Sequence, residues 1–322
     1  MTKFDYKNIE KAYSLINSKV LKTPLVTNDY INKLTESNVY FKLENLQITG
    51  SFKFRGALNK IIGLSDSHKK NGVIAYSSGN HAQAVAYASK QNNINAKIIM
   101  PNNAPKIKIN NTKKFGANVV LYDPVNENRE TLGEILAKKE NRTLIKPYDD
   151  YDIIAGQGTA GLEIVSQLNE LNINPNLYVC CCGGGGLIAG TSTYLKHSFP
   201  NILCYSSEPE GFEDTSKSLL RGKIVSNKSG FKTICDALLA FQPGNLTFPI
   251  NQLTVTKGLV VTEEEVKNAI ITLAENLKII VEPGGAVAAA AVLNKKINVK
   301  DKNVVVMLSG GNIDSEMFFS LN

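Results

Sequence analysis

One lysine in this sequence has surroundings that could give it chemistry. Lys53 lies between Phe52 and Phe54, with glycines nearby in residues 49–56. An amine in an apolar pocket has a lowered pKa and becomes a nucleophile toward carbonyl groups. A lysine beside phenylalanines is more often a surface residue whose aliphatic chain covers apolar side chains. This segment alone therefore does not distinguish a nucleophilic lysine from a surface lysine.

Four consecutive glycines, Gly183, Gly184, Gly185 and Gly186, follow an apolar run, and a helical pattern begins at Leu187. Backbone N–H groups that carry no side chains can converge on a phosphate at a helix N-terminus. The lysine of an ATP-hydrolysing phosphate loop is absent, so the pattern indicates phosphate binding without nucleotide hydrolysis. A flexible turn is the alternative interpretation.

A third polar group, Ser77, Ser78, Asn80 and His81, follows the apolar run at residues 73–76. Small polar side chains and the N–H groups of a following helix can hold a carboxylate. A plain helix cap is the alternative for Ser78 or Asn80. Hydrolysis by a serine–histidine–aspartate triad is disfavoured because the G-x-S-x-G signature is missing.

Residues 156–161 match the dinucleotide-binding fingerprint G-x-G-x-x-G letter for letter. That fingerprint belongs in the turn directly after a strand, with an acidic residue about 20 positions further on. Here residues 147–152 separate the glycines from the preceding apolar run, and residues 180–182 are cysteines. We therefore interpret the glycines as positions of close helix packing, which disfavours a nicotinamide-dependent oxidoreductase.

Four carboxylates, Glu208, Glu210, Glu213 and Asp214, follow the apolar run at residues 202–205. With backbone carbonyls and water, such a group could bind a hard cation. A solvated acidic loop is the competing interpretation.

The elements that position these residues follow from an alternation of short apolar runs with helical patterns. Strands are predicted at residues 73–76, 97–100, 118–122, 143–145, 177–182, 202–205 and 304–308. Helices are predicted at residues 81–90, 106–115, 129–139, 155–168 and 187–196. Alternating β and α units indicate an α/β fold of parallel sheets flanked by helices, whose ligands lie at the carboxyl ends of the strands.

The composition limits the class of protein. Hydrophobic residues make up 43% of 322 residues, as in a globular enzyme, and no apolar run reaches the roughly 20 residues of a membrane span. The net charge is +7, but the lysines are scattered and no arginine-rich run exists, so we expect no nucleic-acid partner. An odd number of cysteines, five, and the absence of a secretory signal predict a cytoplasmic protein.

Together these segments resemble the fold-type II pyridoxal-phosphate enzymes, specifically the serine racemase and serine or threonine dehydratase branch. The resemblance covers nearly the whole chain, and its motifs occur in the family's order at residues 51–57, 77–81, 183–186 and 308–312. It implies a two-lobed fold like that of the tryptophan synthase β subunit. The large cofactor-binding domain would comprise residues 1–71 and 149–322, and the small substrate-side domain residues 72–148.

The resemblance also implies cofactor roles. Lys53 would carry pyridoxal phosphate as a Schiff base and remove the Cα proton of the substrate. The four glycines would hold the phosphate, and Asn80 would hydrogen-bond the phenolic oxygen of the cofactor. Ser309 would meet the pyridine nitrogen and, as a neutral group, leave that nitrogen unprotonated.

Substrate roles are implied in the same way. Ser77, Asn80 and His81 would hold the substrate carboxylate, and Arg129 matches an arginine of the substrate region in racemases. Ser78 would face the side of the substrate opposite Lys53 and return a proton there.

Two further sites are implied by the resemblance. Glu208, the carbonyl of Phe212 and Asp214 match a site for a divalent cation, Mg²⁺ or Ca²⁺. Residues that match a site for ATP as an effector are Thr49, Gln83, Lys108, Lys278 and Asn312. Departures from the usual racemase residues argue against ATP activation, and they lie at Asn28, Asp29, Ile48 and Phe115.

The expected function is interconversion of L- and D-serine, accompanied by β-elimination of serine to pyruvate and ammonia. The alternative within the family is a threonine, serine or 3-hydroxyaspartate dehydratase without significant racemase activity. A non-catalytic phosphate-binding module is the alternative of a different class. The expected partners are a small amino-acid substrate and a second copy of the chain, with no membrane.

Overall fold

Two sheets organise the part of the chain that the computed structural model describes, residues 3–77, 79–104, 106–228 and 230–321. The strands are β1 (Leu25–Val26), β2 (Asn38–Leu43), β3 (Val73–Tyr76), β4 (Ala96–Pro101), β5 (Asn118–Tyr122), β6 (Thr143–Leu144), β7 (Leu177–Cys181), β8 (Leu203–Pro209), β9 (Lys257–Val261) and β10 (Asn303–Leu308). One sheet has the order β1-β2-β10-β7-β8-β9, and its described strands are parallel except for β1. The other has the parallel order β5-β4-β3-β6.

Helices cover these sheets. They are α1 (Tyr6–Ile16), α2 (Asp29–Thr35), α3 (Lys53–Ile62), α4 (Asp66–Asn71), α5 (Asn80–Gln91), α6 (Lys106–Lys114), α7 (Arg129–Lys139), α8 (Tyr151–Glu170), α9 (Gly186–Ser198), α10 (Asp214–Arg221), α11 (Thr247–Thr254), α12 (Glu263–Leu277), α13 (Pro283–Leu293) and α14 (Ser315–Phe319). Every residue of β7 is buried, as expected for a parallel strand in the middle of a sheet with both faces covered. The predicted α/β class with parallel sheets is therefore confirmed.

Strand β8 is longer than predicted. The expected strand at residues 202–205 continues to Pro209, so that Glu208 belongs to the strand and does not follow it. The extension is polar in sequence, but β8 pairs with β7 as far as Ser207 and with β9 as far as Pro209. Pairing on both sides outweighs the weak strand preference of these residues.

The glycines at residues 156–161 lie inside α8, not in a turn after a strand. A Cβ atom on Gly156 would lie 2.6 Å from the Cα of Gly56 in α3. One on Gly161 would lie 2.8 Å from the carbonyl oxygen of Thr191 in α9. The interpretation as close helix packing is confirmed, because any side chain at these positions would force the helices apart.

A buried cluster of charges, which we call the ion tetrad, joins β2, α3 and α8 and consists of Lys42, Glu44, Arg55 and Glu163. Arg55 donates to Glu44 and to Glu163 over 2.7 Å each, and Lys42 donates to Glu163 over 2.7 Å. Two positive and two negative side chains balance, so their mutual attraction and hydrogen bonds offset the cost of removing them from water. The tetrad anchors α3 two residues after Lys53.

The five cysteines are all buried and none forms a disulfide, as predicted for small apolar residues. Within the described ranges, no helix combines the length and the apolar character needed to cross a membrane.

Candidate active site

A cavity of about 160 Å³ lies where the carboxyl ends of β3, β7 and β10 meet the start of α3. Its walls come from both sheets, as expected for a ligand site in a parallel α/β fold. The residues predicted from the sequence that line it are Lys53, Ser77, Asn80, His81, Arg129, Gly183, Gly184, Gly185, Gly186 and Ser309.

Lys53 is the first residue of α3 and points its amine into this cavity. The amine donates to the carbonyl oxygen of Pro147 over 2.7 Å and lies 5.1 Å from the centre of the Phe52 ring. Burial lowers the pKa of Lys53 to about 8, although Cys181 and Glu282 oppose the shift. The amine is therefore unprotonated more often near neutral pH than that of an ordinary lysine.

The end of β10 positions the segment that carries Lys53. Ser51 forms a bridge with Gly310, and the N–H of Phe52 donates to the carbonyl oxygen of Ser309 over 3.1 Å. Ser309 itself is buried and lines the cavity. These backbone contacts fix the segment that carries Lys53 relative to Ser309, although the two come from distant parts of the chain.

The four glycines line the cavity, and the contacts of one carbonyl indicate where an N–H group of the loop points. The carbonyl oxygen of Gly184 accepts from the Thr247 hydroxyl over 2.6 Å and from the N–H of Gly244 over 3.2 Å, on the side of α11. In a trans peptide the N–H points opposite to the C=O, so the N–H of Gly185 is directed away from α11. Gly185 has φ +90, a left-handed conformation that favours glycine, and α9 starts at Gly186. The arrangement suits an anion such as a phosphate.

Tyr148 packs against this loop and was not identified from the sequence. A Cβ atom on Gly184 would lie 2.4 Å from carbon atoms of the Tyr148 ring, so the ring occupies the space that a side chain would need. Burial, with a smaller effect of Glu130, raises the pKa of Tyr148 to about 12. No motif marks Tyr148, because its position depends on how the segment before α8 folds back over the glycines.

Helix α5 turns its first N–H groups toward the polar segment after β3. Its N-cap is Gly79, and the first hydrogen bond back along the chain runs from the N–H of Gln83 to the carbonyl oxygen of Gly79. The N–H groups of Asn80, His81 and Ala82 precede that bond. Within the described residues none of these three groups has a recorded acceptor, and N–H donors at the start of a helix can hold a carboxylate.

The His81 ring is buried and neutral. Its Nε2 lies 2.9 Å from the carbonyl oxygen of Ile145, and because a carbonyl only accepts, we assign the hydrogen to Nε2. Burial, together with the nearby Lys53 amine, lowers the pKa of His81 to about 3. The imidazole therefore brings no positive charge to a bound carboxylate, and any contribution of His81 to carboxylate binding comes through its backbone.

Asn80 is held by two neighbours. Its amide donates to Oε1 of Glu282 over 2.6 Å, and its oxygen accepts from Asn312 over 2.7 Å. Asn312 also donates to the carbonyl oxygen of Thr49 over 2.8 Å. Sequence reasoning missed Glu282, which lines the cavity; its place before Pro283 at the start of α13 was the available signal.

Arg129 begins α7 and is exposed at the rim of the cavity. Its positive charge opposes the effect of burial on Tyr76 and Tyr148, since burial raises the pKa of both phenols. An exposed guanidinium at the mouth of the cavity suits an incoming carboxylate.

The other predicted residues are not among those that the structure places at the cavity. Ser78 is outside the described residues, and so is the side chain of Lys108. Lys278 ends α12, where its amine donates to the carbonyl oxygen of Glu275, and Gln83 is buried within α5. Of the residues predicted for a nucleotide, only Thr49 and Asn312 are brought into contact by the hydrogen bonds of the described chain.

In the acidic segment Glu208 and Asp214 are buried whereas Glu210 is exposed, so the alternative of a solvated loop does not hold for the two buried carboxyls. Both oxygens of Glu208 accept N–H groups at the start of α10, from Thr215 over 2.8 Å and from Ser216 over 2.7 Å. Oδ1 of Asp214 accepts from Asn227 over 2.7 Å. Burial raises the pKa of Asp214 to about 7, and that of Glu208 is raised by burial and by Asp214.

Comparison with known proteins gives matches over almost the full length. Residues 16–310 match the family described as pyridoxal-phosphate dependent enzyme. The chain is similar to the serine racemase of Dictyostelium discoideum, with 41% identity over 311 residues, covering 96% of this chain and 94% of that protein. It is equally similar to the catabolic L-threonine dehydratase of Staphylococcus aureus, with 42% identity, covering 95% and 88%. The structure of maize serine racemase superposes with a TM-score of 0.92 at 34% identity, covering 98% and 96%.

Proposed function

This chain belongs to the family of pyridoxal-phosphate dependent enzymes, and we propose that it interconverts L- and D-serine and also eliminates water from serine, giving pyruvate and ammonia. The observation that carries the proposal is one cavity that contains an amine of lowered pKa, a glycine anion site and a carboxylate-binding helix start. Similarity to serine racemases along the whole chain supports the racemase assignment.

The cavity fits pyridoxal phosphate. Gly185, in its left-handed conformation, and Gly186, at the start of α9, suit the phosphate. Lys53 offers an amine that burial has made a better nucleophile, and Ser309, whose hydroxyl could meet the ring nitrogen, lines the same cavity. We propose that the amide of Asn80, which Glu282 and Asn312 hold in place, meets the phenolic oxygen.

When bound, pyridoxal phosphate supplies a conjugated ring that accepts electrons from the substrate and makes its Cα proton acidic. The chain supplies orientation and proton transfer. Arg129 and the N–H groups at the start of α5 would hold the substrate carboxylate. Lys53 would take the Cα proton on one face, since its amine loses its own proton at a pH close to neutral.

Racemisation and elimination share these residues up to the loss of the Cα proton, so product analysis must separate them. We expect L-serine to yield both D-serine and pyruvate, measured by chiral chromatography beside a pyruvate assay. Formation of pyruvate without D-serine would instead favour the dehydratase, whose relatives match this chain as well as the racemases do. Absence of both products, together with absence of a visible absorbance band, would favour a non-catalytic phosphate-binding module.

The return of a proton on the second face is the step we assign to Ser78, as a proposal that rests on the family resemblance. Replacing Ser78 with alanine should lower the rate of D-serine formation by about 100-fold or more, as expected for the loss of a general acid. Elimination from L-serine should stay largely intact, because Lys53 removes the proton on the other face. Equal losses of both activities, measured on the same preparation, would contradict this assignment.

The pKa of Lys53 predicts how fast the cofactor-free protein takes up pyridoxal phosphate. Only the neutral amine attacks the aldehyde, so below its pKa the rate should rise roughly tenfold per pH unit. It should level off above a pH of about 8, whereas an ordinary lysine continues to gain up to its usual pKa of 10.5. Stopped-flow absorbance measures the rate, with Nα-acetyl-lysine as the control. A protein rate that follows the control to high pH would refute the lowered pKa.

We also propose a divalent cation at the acidic segment. Oδ2 of Asp214 and Oδ1 of Asn227 are buried without a hydrogen-bond partner in the described chain, and oxygen atoms are what Mg²⁺ and Ca²⁺ prefer. The carbonyl of Phe212 and the second lone pairs of Glu208 would add ligands. Against this, no three acidic, histidine or cysteine side chains converge among the described residues, so carbonyls and water must complete the site.

The cation should stabilise the folded protein. We expect Mg²⁺ or Ca²⁺ to raise the melting temperature of the wild type and to lose that effect in Asp214→Asn, because a ligand that binds only the folded state shifts unfolding. Differential scanning calorimetry with and without a chelator measures it. Glu210→Gln, a change in the same segment at a residue outside the proposed ligands, is the control. An equal response to the metal in Asp214→Asn and Glu210→Gln would show that Asp214 is not a ligand.

Further proposals concern the compartment, the oligomeric state, the domain division and the effector. We propose a cytoplasmic homodimer; five unpaired buried thiols support the compartment, the dimer rests on the resemblance seen in the sequence alone, and sedimentation velocity tests it. We propose the division into residues 1–71 plus 149–322 and residues 72–148, because the four-stranded sheet draws its strands from residues 73–144. ATP as an effector has little support, since Asn312 already donates to Asn80 and Thr49.

A further inference from the structure

The thiol of Cys181 touches the proposed partner of the cofactor ring. Cys181 ends β7, Ser309 follows β10, and these strands are parallel neighbours. The Cys181 sulfur lies 3.1 Å from the hydroxyl oxygen of Ser309, and the contact is buried. Both residues line the cavity. No motif in the sequence marked Cys181.

A hydroxyl group has one hydrogen to donate and two lone pairs that accept. When the Cys181 thiol donates to Ser309, it occupies one lone pair and leaves the hydrogen of the hydroxyl without a partner on that side. The backbone carbonyl of Ser309 is already taken by the N–H of Phe52, over 3.1 Å. Because Ser309 lines the cavity, its hydroxyl hydrogen can then be directed into the cavity.

We infer that Cys181 is a positioning residue, whose thiol orients the Ser309 hydroxyl so that its hydrogen is donated to the ring nitrogen of the cofactor. This inference rests on the proposed function, because it needs the pyridoxal ring in the cavity. A nitrogen that accepts such a hydrogen bond stays unprotonated, and the ring is then a weaker acceptor of electrons. Cys181 thereby takes part in setting the electron demand of the cofactor without touching the substrate.

The opposite arrangement makes a different prediction. Hydrogen bonds from neighbouring groups, led by Cys180, and the charge of Lys53 lower the pKa of the Cys181 thiol, whereas burial raises it. A thiolate would accept the hydrogen of Ser309 and draw it away from the ring. Removal of the sulfur would then strengthen cofactor binding, whereas removal of a donating thiol weakens it.

The test is equilibrium dialysis of the holoenzyme against pyridoxal phosphate, with the absorbance spectrum of the bound cofactor as a second readout. Cys181→Ala should weaken cofactor binding by about three- to tenfold, the effect of one hydrogen bond, and shift the absorbance maximum. Cys181→Ser keeps a donor and should restore both readouts. Cys204→Ala, which removes a buried thiol of the same sheet that does not line the cavity, should match the wild type. If Cys181→Ala does not fold, Cys181→Val takes its place, since it fills the volume without a donor.

The possible outcomes distinguish failure of the proposed function from failure of the role of Cys181. A wild-type protein that retains no pyridoxal phosphate overturns the proposed function, and this inference with it. Binding in Cys181→Ala that equals or exceeds that of a cofactor-retaining wild type overturns the inference alone. Failure of Cys181→Ser to restore the wild-type spectrum while Cys181→Ala alters it also overturns it, because the effect would then come from volume and not from a donor.

Discussion

Replacing Lys53 with alanine should abolish the visible absorbance of the bound cofactor and lower both racemisation and elimination by at least about 10³-fold. The expected loss is this large because the residue would serve as the attachment point of the cofactor and as the base that takes the Cα proton, and a general base alone contributes about 10²–10⁴-fold. The amine lies in the cavity with a pKa of about 8. Absorbance spectra and initial rates on L-serine measure the effect.

Two controls isolate the amine from its charge and from its helix. Lys53→Arg keeps a positive charge but cannot attack the aldehyde, so it should be as inactive as the alanine variant. Lys60→Ala removes a lysine of the same helix, at the other end from the cavity, and should retain the absorbance band. Turnover of Lys53→Ala close to that of the wild type would refute the central assignment.

Replacing Arg55 with methionine should lower the free energy of unfolding by about 3–5 kcal/mol, because Lys42 would then be the one positive charge of the ion tetrad left to balance two buried carboxylates. Glu44 and Glu163 are buried and accept from Arg55 over 2.7 Å each. Methionine has a similar length, so the loss reflects the missing charge and hydrogen bonds more than a cavity. Urea unfolding followed by circular dichroism measures the change.

A second variant tests whether charge balance is the reason. Arg55→Met combined with Glu163→Gln leaves one positive and one negative side chain in the ion tetrad, and should be more stable than Arg55→Met alone. Lys22→Met breaks an exposed pair with Glu170 and should have little effect, because water already screens both partners. If Arg55→Met were as stable as Lys22→Met, the ion tetrad would contribute no more to the free energy of unfolding than a surface pair.

The structural features that the sequence predicted correctly are local. Gly183–Gly186 follow a strand and open a helix within a few residues, so the chain itself determines where their N–H groups point. The packing role of the glycines in α8 was also readable, because their spacing lacked the strand that a dinucleotide site needs. Lys53 became recognisable only through the other motifs, since a lysine between phenylalanines has many ordinary explanations.

The features that the sequence did not reveal depend on distant residues. Tyr148 covers Gly184 because the segment before α8 folds over the glycine loop, and Cys181 meets Ser309 because β7 and β10 are neighbours in a sheet. Strand β8 continues through polar residues because it has neighbours on both sides. Neither propensity nor motif contains such pairings, which arise only when the sheet assembles.

The pairing of β2 with β10 has a consequence for biosynthesis. These strands come from opposite ends of the described chain, and the bridge between Ser51 and Gly310 continues their contact up to Lys53. A ribosome completes β2 and α3 long before β10 emerges, so the growing chain exposes an edge of β2 that has no parallel neighbour, and contacts of such long range form slowly. We therefore expect capture of the cofactor to wait until translation has passed Gly310, because before then Lys53 lacks the burial that lowers its pKa and its amine stays largely protonated.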